Sequence, residues 1–184
     1  MKIPTININV KSKRQKPAFK HLMFIHWAMV PCFLFLYVTG VILPHISREF
    51  TLSNTIPFLH QSFGILIMLF LIARIFLLVR IIGNKYLRRF PKITSFWLKT
   101  LIIHTSLYLF MALVPISGLL LRNLRGIDTT FFGIFVPYLI FKNEGLVEST
   151  RNLHFLTSYI FLCFIVLHIF SQKNVNFSIK LLKS

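Results

Sequence analysis

Long segments without any charged side chain dominate this chain and restrict the folds open to it. Three of them, residues 22–43, 100–121 and 152–172, contain no Asp, Glu, Lys or Arg, and a fourth, residues 58–82, contains only two arginines. A helix needs about 20 mostly apolar residues to cross the hydrocarbon core of a bilayer. The sequence therefore predicts four transmembrane helices, at approximately residues 19–43, 58–82, 97–121 and 152–172.

The composition supports a membrane protein, because 55% of the 184 residues are hydrophobic and only 14% are charged. Four spans leave no room for a soluble domain, so we expect one all-α membrane domain over residues 1–184, built as a four-helix bundle. The first span follows a long basic tail, residues 1–18, and no small-residue cleavage site follows it. We therefore expect this span to be retained rather than removed as a signal peptide.

The positive charges are distributed unevenly between the two ends of the predicted spans, within a net charge of +17. Thirteen cations lie in the two tails and in the linker after the second span, whereas the other loops carry five cations diluted by all four acids. The positive-inside rule then predicts that both termini are cytoplasmic. Short tails on a chain made mostly of spans give no room for a nucleic-acid site, so we expect no nucleic-acid partner. The thirteen are Lys2, Lys11, Lys13, Arg14, Lys16, Lys20, Lys85, Arg88, Arg89, Lys92, Lys173, Lys180 and Lys183.

Four histidines lie inside the predicted spans at two depths. His154 and His168 are fourteen residues apart on the last span, which places them roughly 21 Å apart and within about 40° of one helix face. With cytoplasmic termini, His26 lies at the inner depth of His168, and His60 lies at the outer depth of His154. Imidazole is a frequent metal ligand and an axial ligand of haem iron. We expect one iron between the members of each pair.

A histidine buried between spans is often only an interhelical hydrogen-bonding group, but four that match at two depths favour paired ligands. His104 lies about one turn into the third span, where a proton or quinone pathway and simple packing both remain open. His21 and His45 lie in the basic tail and an outer loop, where we expect solvated or headgroup-level imidazoles.

Arg74 is fourteen residues beyond His60 and so lies at the depth of the inner pair. A guanidinium pairs with a carboxylate through two parallel hydrogen bonds, which makes Arg74 a candidate partner for a haem propionate. Arg80, nearer the cytoplasmic end of the same span, is expected to extend to the interface instead.

Three further features complete the local predictions. Cys32 and Cys163 fall in mid-span, where we expect buried thiols without redox activity. The apolar run 131–141 is too short to cross a bilayer, so we expect an interfacial hairpin or lid on the outer side. No Cys-x-x-Cys-His sequence occurs, so a haem would be held non-covalently, as haem b is.

Several short motifs, taken with the histidine spacing, resemble the prokaryotic cytochrome b561 family of small four-helix dihaem membrane proteins. The likeness covers nearly everything from Phe19 to the C-terminal tail. The residues that carry it are Ile25-His26-Trp27, His60, His104, Pro115, Gly118, Arg125-Gly126, Phe132-Gly133, Pro137-Tyr138, His154 and His168.

The resemblance implies two haem b groups with bis-histidine ligation by His26 and His168 at the inner site and by His60 and His154 at the outer site. It also implies a multi-pass protein of the bacterial inner (plasma) membrane that exchanges electrons between a ubiquinone-type quinone and a partner at the outer face. In the best-known member that partner is superoxide; an unknown protein donor is equally compatible. Leu153 and Phe155 depart from the family pattern, which has a Trp and an acid in some members, so tuning of the outer haem is expected to differ.

The predicted depths also identify candidate functional side chains near the inner haem and on the outer face. His104, Lys99 and Arg74 are the candidates for contact with quinone or for proton supply near the inner haem, and no catalytic acid or base is identified. On the outer face, Arg122 and Arg125 either attract an anionic donor such as superoxide or bind lipid headgroups.

Three function classes are compatible with these patterns. The first is a quinone-linked oxidoreductase or pure electron carrier, and the second is a haem-bearing membrane anchor subunit of a larger dehydrogenase or hydrogenase. The third is a small transporter or channel whose histidines relay protons or bind a metal ion, which the absence of an inverted repeat disfavours.

Overall fold

Four long helices account for most of the chain, as the uncharged segments predict. The computed structural model describes residues 12–47, 51–86 and 94–181, with side chains in 17–47, 51–83, 94–95 and 97–171. All four helices are long and apolar enough to cross a membrane, so the four-helix membrane bundle is confirmed. The helices are α1 (Ser12–Ile42), α2 (Thr55–Tyr86), α3 (Ser95–Leu124) and α4 (Val147–Leu181).

The outward faces of the helices carry large apolar side chains. Phe24 and Leu34 of α1 and Phe76 of α2 are each about two-thirds exposed or more, at 74%, 68% and 66%. A water-soluble protein rarely exposes contiguous apolar surface on this scale. These faces are therefore suited to contact lipid.

Helix α3 has defined ends because the residues there satisfy its free backbone groups. At its start, the Thr94 hydroxyl accepts a hydrogen bond from the Trp97 backbone N–H at 3.2 Å. At its end, Gly126 adopts a positive φ of 68°, and the following Ile127 N–H donates to the Arg122 carbonyl at 3.1 Å. This pairing is a Schellman motif, which requires the left-handed backbone that glycine adopts without strain.

A two-stranded hairpin follows α3. Strand β1 (Thr129–Phe131) pairs antiparallel with β2 (Ile134–Val136), with Phe131 opposite Ile134. Phe132 and Gly133 form the turn with positive φ values of 46° and 93°, as a twisted two-residue turn requires. The predicted hairpin is thus present, and its place at the outer membrane interface stays a prediction.

Side chains of α2 hold the hairpin against the bundle. The Ser62 hydroxyl accepts a hydrogen bond from the Phe132 backbone N–H at 3.1 Å, and the rings of Phe63 and Phe132 lie 5.8 Å apart. The Gln61 amide donates to the Thr130 carbonyl. These bonds satisfy backbone groups on the free edge of β1, which would otherwise be open to pairing with another chain.

The four helices do not pack equally closely. In the described part of the chain, α1 lies along α2 and α3 lies along α4, whereas the α4 backbone makes few close approaches to α1 or α2. Side chains span that gap: the Tyr37 hydroxyl donates to the Ser158 carbonyl at 3.0 Å, and the rings of Phe33 and Phe161 are 5.2 Å apart. We call this gap the slot; its middle is filled by the buried core residues Met29, Cys32, Ile67, Leu71, Met111 and Phe161.

The two cysteines have different environments. Cys32 is buried, as predicted, and its thiol donates to the Ala28 carbonyl at 3.4 Å. Cys163 is exposed, so the prediction that it is buried is wrong. It follows the buried Phe161 by two residues, which turns it about 160° away from the core on α4. Depth in the membrane alone does not determine whether a side chain faces the bundle or the lipid.

The predicted orientation depends in part on residues that lie outside the described ones. Cytoplasmic termini therefore remain a prediction. The charged residues concerned are Lys2, Lys11, Arg48, Glu49, Arg88, Arg89, Lys92 and Lys183.

Asn123 connects the hairpin segment to α3, and its removal is expected to destabilise the fold. Its side chain is fully buried, with Oδ1 accepting from the Leu139 N–H at 2.8 Å. Replacing Asn123 by Ala removes the hydrogen bond to the Leu139 N–H, and a typical intramolecular hydrogen bond contributes about 0.5–1.5 kcal/mol of stability. We expect a lower midpoint of thermal unfolding in detergent for Asn123→Ala. The exposed Asn152→Ala is the control and should stay within about 0.5 kcal/mol of the parent; equal midpoints for both variants would contradict this role.

Candidate functional site

The end of the slot nearer the chain termini, which we call the inner end after the predicted orientation, contains three imidazole rings from three helices. His26 of α1 and His168 of α4 have ring centres 6.3 Å apart, with planes at 81°. The ring of His104, from α3, lies 4.9 Å from that of His168 in an edge contact. His104 therefore has a partner at its own depth, which sequence reasoning did not identify.

The separations distinguish the two possible partners of His168. Because a first-row metal bonds to imidazole nitrogen at about 2.0–2.1 Å, rings on opposite sides of one metal have centres roughly 6 Å apart. The His26–His168 pair meets this requirement, and the His104–His168 pair is too close. Among the described residues, no group of three or more His, Cys, Asp or Glu side chains is arranged to hold a metal ion by itself.

Arg74 lies at the inner level, as the fourteen-residue spacing predicts, and it connects two helices there. Its Nη1 donates to Nδ1 of His26 at 2.6 Å, and its Nε donates to the Tyr108 hydroxyl at 2.9 Å. Guanidinium nitrogens only donate, so Nδ1 of His26 is an acceptor and the proton of that neutral ring is on Nε2. Tyr108 belongs to this network as well, although no sequence pattern identifies it.

The outer level contains His60 of α2, whose ring is held by α1. Its Nδ1 lies 2.8 Å from the Thr39 hydroxyl, and that hydroxyl donates its own proton to the Phe35 carbonyl at 2.8 Å. The oxygen of Thr39 therefore accepts a hydrogen bond from Nδ1–H of His60. The ring is thereby fixed in the tautomer whose Nε2 has a free lone pair.

His154 of α4 is held by α3 in a similar way. Its Nδ1 donates to the Val114 carbonyl at 3.0 Å and lies 3.1 Å from the Ser117 hydroxyl. A carbonyl only accepts, so Nδ1 carries the proton and Nε2 is again free. His154 also lies within electrostatic range of His60. The outer pair thus presents two imidazoles prepared to bind a metal through Nε2, as ligand histidines in metal sites do.

Glycines lie against both outer imidazoles. A Cβ at Gly118 would lie 3.0 Å from Cε1 of His154, and one at Gly40 would lie 3.4 Å from Cε1 of His60. The first distance is too short for an ordinary contact, so Gly118 leaves space that the His154 ring uses. Gly40 likewise allows the backbone of α1 to lie close to the His60 ring.

Three buried side-chain nitrogen or oxygen atoms in the described part of the chain have no hydrogen-bond partner: Nδ1 of His168, Nε of Arg122 and Oε1 of Gln61. Buried polar atoms are nearly always bonded, and each exception requires an explanation. His168 belongs to the inner level, and Arg122 and Gln61 lie at the outer end beside the hairpin. Unsatisfied atoms at both levels fit a site that receives a ligand with polar groups.

The remaining predicted residue, Lys99, does not join the inner cluster. Its side chain is exposed, and it precedes His104 by five residues, which turns it about 140° around α3. Thr39, Ser117 and Tyr108 do contact site residues, but hydroxyl side chains are common in apolar helices. No spacing rule distinguishes them before the helices are packed.

Comparison with known proteins agrees with this architecture. The family model described as prokaryotic cytochrome b561 matches residues 20–173. That range contains all of α2 and α3, most of α1 and α4, and every histidine of both levels. No curated protein matches the chain.

Gly118 and Gly64 give a matched test of the glycine contact. Replacing Gly118 by Ala puts a methyl group against the His154 ring, and overpacking of this kind costs about 1–3 kcal/mol. A Cβ at Gly64, inside α2, meets no atom within 4 Å, so Gly64→Ala should be neutral or stabilising by up to about 1 kcal/mol. Thermal unfolding in detergent should separate the two variants. Equal midpoints would show that the Gly118 contact with His154 has no energetic importance.

Proposed function

Because the chain belongs to the prokaryotic cytochrome b561 family and is therefore a haem-bearing membrane electron carrier, we propose that it holds two haem b groups and links a quinone to an electron donor at the outer face. The observation that carries the proposal is that His154 and His168 lie fourteen residues apart on α4, with the His26 ring 6.3 Å from that of His168 and with His60 near enough to His154 to interact with it electrostatically. Haem b supplies reversible one-electron chemistry when bound, and the protein sets its position and potential.

At the inner site, His26 and His168 are the proposed axial ligands. Their ring separation of 6.3 Å suits one iron between them, whereas His104 is too close to His168 to be its opposite ligand. If His26 held iron through Nε2, its Nδ1 would carry the ring proton and could no longer accept from Arg74. The freed guanidinium would then be able to pair with a haem propionate, which is the role proposed for Arg74.

At the outer site, His60 and His154 are the proposed ligands. Their hydrogen bonds to Thr39, Ser117 and the Val114 carbonyl already leave both Nε2 atoms free. Gly40 and Gly118 keep neighbouring helices from crowding the rings. This support favours tight binding, because groups that orient ligand imidazoles strengthen metal sites.

Between the two levels, the slot is packed with apolar side chains. Phe161 lies seven residues from each α4 histidine, on the same helix face, and is only 2% exposed. Its ring contacts Phe33 of α1, and Met29 and Ile67 fill the space around it. This packing excludes water from the region between the proposed haems and fixes their separation.

His104 is the proposed polar contact for a quinone near the inner site. Its Nδ1 donates to the Thr100 carbonyl at 2.7 Å, so Nε2 is free to bond a quinone oxygen or a hydroxyl. The ring touches His168, so a quinone bonded to His104 would lie next to the inner ligand. Lys99 is exposed and is proposed to supply protons to this end of the slot rather than to contact the quinone itself.

At the outer face, the proposed donor is a small anion such as superoxide. Arg125 is exposed at the end of α3, and Lys142 and Arg151 lie in the same outer segment. Positive surface charge raises the encounter rate of an anion with a nearby redox centre. The apolar hairpin packs against α2 at the same end of the bundle.

The haem content of two variants tests the proposal most simply. The purified protein should contain two low-spin b haems per chain, measured by the reduced-minus-oxidised optical spectrum and the haem-to-protein ratio. His26→Ala should lose the inner haem and His60→Ala the outer one, because each removes one ligand from a different site. A parent protein with one haem or none, or the loss of the same spectral component in both variants, would contradict the two-site proposal.

Thr39 provides a test of how the outer histidine is oriented. Thr39→Val removes the oxygen that accepts from Nδ1 of His60, and loss of such a supporting bond lowers metal-site affinity about 10–100-fold. Thr39→Ser keeps the hydroxyl and is the matched control. We expect Thr39→Val alone to bind the outer haem more weakly in a titration of haem-depleted protein. Similar affinities for the Val and Ser variants would refute the role of this hydrogen bond.

A further inference from the structure

Arg122 is half-buried, and one of its guanidinium nitrogens is buried without a hydrogen-bond partner in the described part of the chain. Its Nη2 donates to the Asp128 backbone carbonyl at 2.6 Å, while its Nε is buried without a partner. An unsatisfied buried donor on a charged group is costly. The position of Arg122 therefore suits an anionic ligand.

No described carboxylate forms an ion pair with Arg122. The chain has four acids, and the three in the described residues bond elsewhere. The Tyr138 hydroxyl donates to the Asp128 carboxylate, Lys142 pairs with Glu144 at 2.8 Å, and Arg151 pairs with Glu148. The hydrogen bond to Asp128 also raises the pKa of Tyr138, which keeps that hydroxyl protonated as a donor. Asp128 lies near enough to Arg122 to interact with it electrostatically but forms no ion pair with it, so the buried Nε–H of Arg122 can still bind an anion from outside these carboxylates.

The location of Arg122 indicates which anion this is. Val114, Ser117 and Gly118 form the stripe of α3 that touches His154. Arg122 continues that stripe, four residues beyond Gly118, and so lies about 6 Å further towards the outer end of the helix. A group attached to a ligand held at His154 can reach this distance.

Gln61 restricts the direction from which an anion can approach. Its amide nitrogen is committed to the Thr130 carbonyl, so the buried Oε1 is an acceptor only. The carbonyls of Thr130 and Asp128, two residues apart, hold Gln61 and Arg122 respectively. A carboxylate avoids the oxygen of Gln61 and is attracted by the guanidinium.

We propose that Arg122 binds a propionate carboxylate of the outer haem, through the buried Nε–H that is left without a protein partner. The inference rests on the proposed function, since it requires a haem at His60 and His154. Arg122 and Arg125, which have the same candidate roles by sequence, then have different roles. Arg122 is a resident partner of the cofactor, and the exposed Arg125 remains available to a diffusing anion.

The test compares Arg122→Gln with Arg125→Gln, which removes the same charge three residues away. Both are made in the His26→Ala protein, so that only the outer haem is measured. Two properties are recorded: the rate of haem transfer to excess apomyoglobin and the midpoint potential from a redox titration. Arg122→Lys is added because it keeps the charge without the guanidinium.

We expect Arg122→Gln to lose haem about tenfold faster, as the removal of one charge-assisted hydrogen bond implies. Its potential should fall, because a nearby cation favours the reduced haem, which carries one positive charge less. Arg125→Gln should match the parent in both measurements. Arg122→Lys should keep most of the potential and lose haem at an intermediate rate.

Two outcomes would overturn the proposal. Equal changes in Arg122→Gln and Arg125→Gln would indicate a general effect of surface charge, and parent-like behaviour of Arg122→Gln would exclude the contact. Should Arg122→Gln not fold, an Arg122→Lys protein with a parent-like haem-loss rate would equally contradict it. Failure of the proposed function is distinguishable, because the His26→Ala protein would then contain no haem before any arginine is changed.

Discussion

The spacing of the two histidines on α4 is the constraint on which the rest of the structure depends. Fourteen residues of helix return the side chain to nearly the same face after a rise of roughly 21 Å, so one helix presents His154 and His168 to the same slot at two depths. The other helices then have defined tasks. Helices α1 and α2 each supply one further imidazole. Helix α3 supplies the hydrogen-bonding groups that hold His154 and the His104 ring that touches His168. The slot exists because α4 keeps its backbone away from α1 and α2.

The histidines of the two levels differ in whether their hydrogen bonds already leave Nε2 free to bind a metal. At the outer level, Thr39 and the Val114 carbonyl fix both imidazoles with Nε2 free. At the inner level, Arg74 bonds to His26, and Nδ1 of His168 has no partner. With the proposed ligands, a haem at the inner level would require Arg74 to exchange the His26 imidazole for a carboxylate. Cofactor binding would then be coupled to a change of hydrogen bonds at the inner site, and the outer site would need no such change.

Much of this arrangement could be predicted from the sequence, and the part that could not has a common physical cause. Hydropathy gives the four spans, and the rise of a helix gives the depths of His26, Arg74 and His104. The rotation and approach of each helix depend on packing, which the sequence does not reveal directly. For that reason the His104–His168 contact, the exposure of Cys163 and the support from Thr39 appear only in the structure.

The hairpin, like the helices, has a feature that depends on packing and could not be predicted from the sequence. Its apolar composition and its glycine indicate a turn at the surface, and the turn is present. The positive φ of Phe132 is less expected, because a large side chain disfavours that backbone region. Its N–H bonds to Ser62 and its ring packs on Phe63, and these contacts with α2 hold the conformation. Contacts that offset an unfavourable backbone conformation in this way depend on how the hairpin packs against α2, which the sequence does not reveal directly.

The most direct test of the central claim is the distance between two haem irons in the fully oxidised protein, measured by pulsed electron paramagnetic resonance. Low-spin ferric haem is paramagnetic, so two sites give a dipolar coupling whose size reports their separation. The account predicts two centres separated by roughly 21 Å, the rise of fourteen helical residues on α4. A single centre, or two centres much closer than one half of a bilayer core, would contradict it.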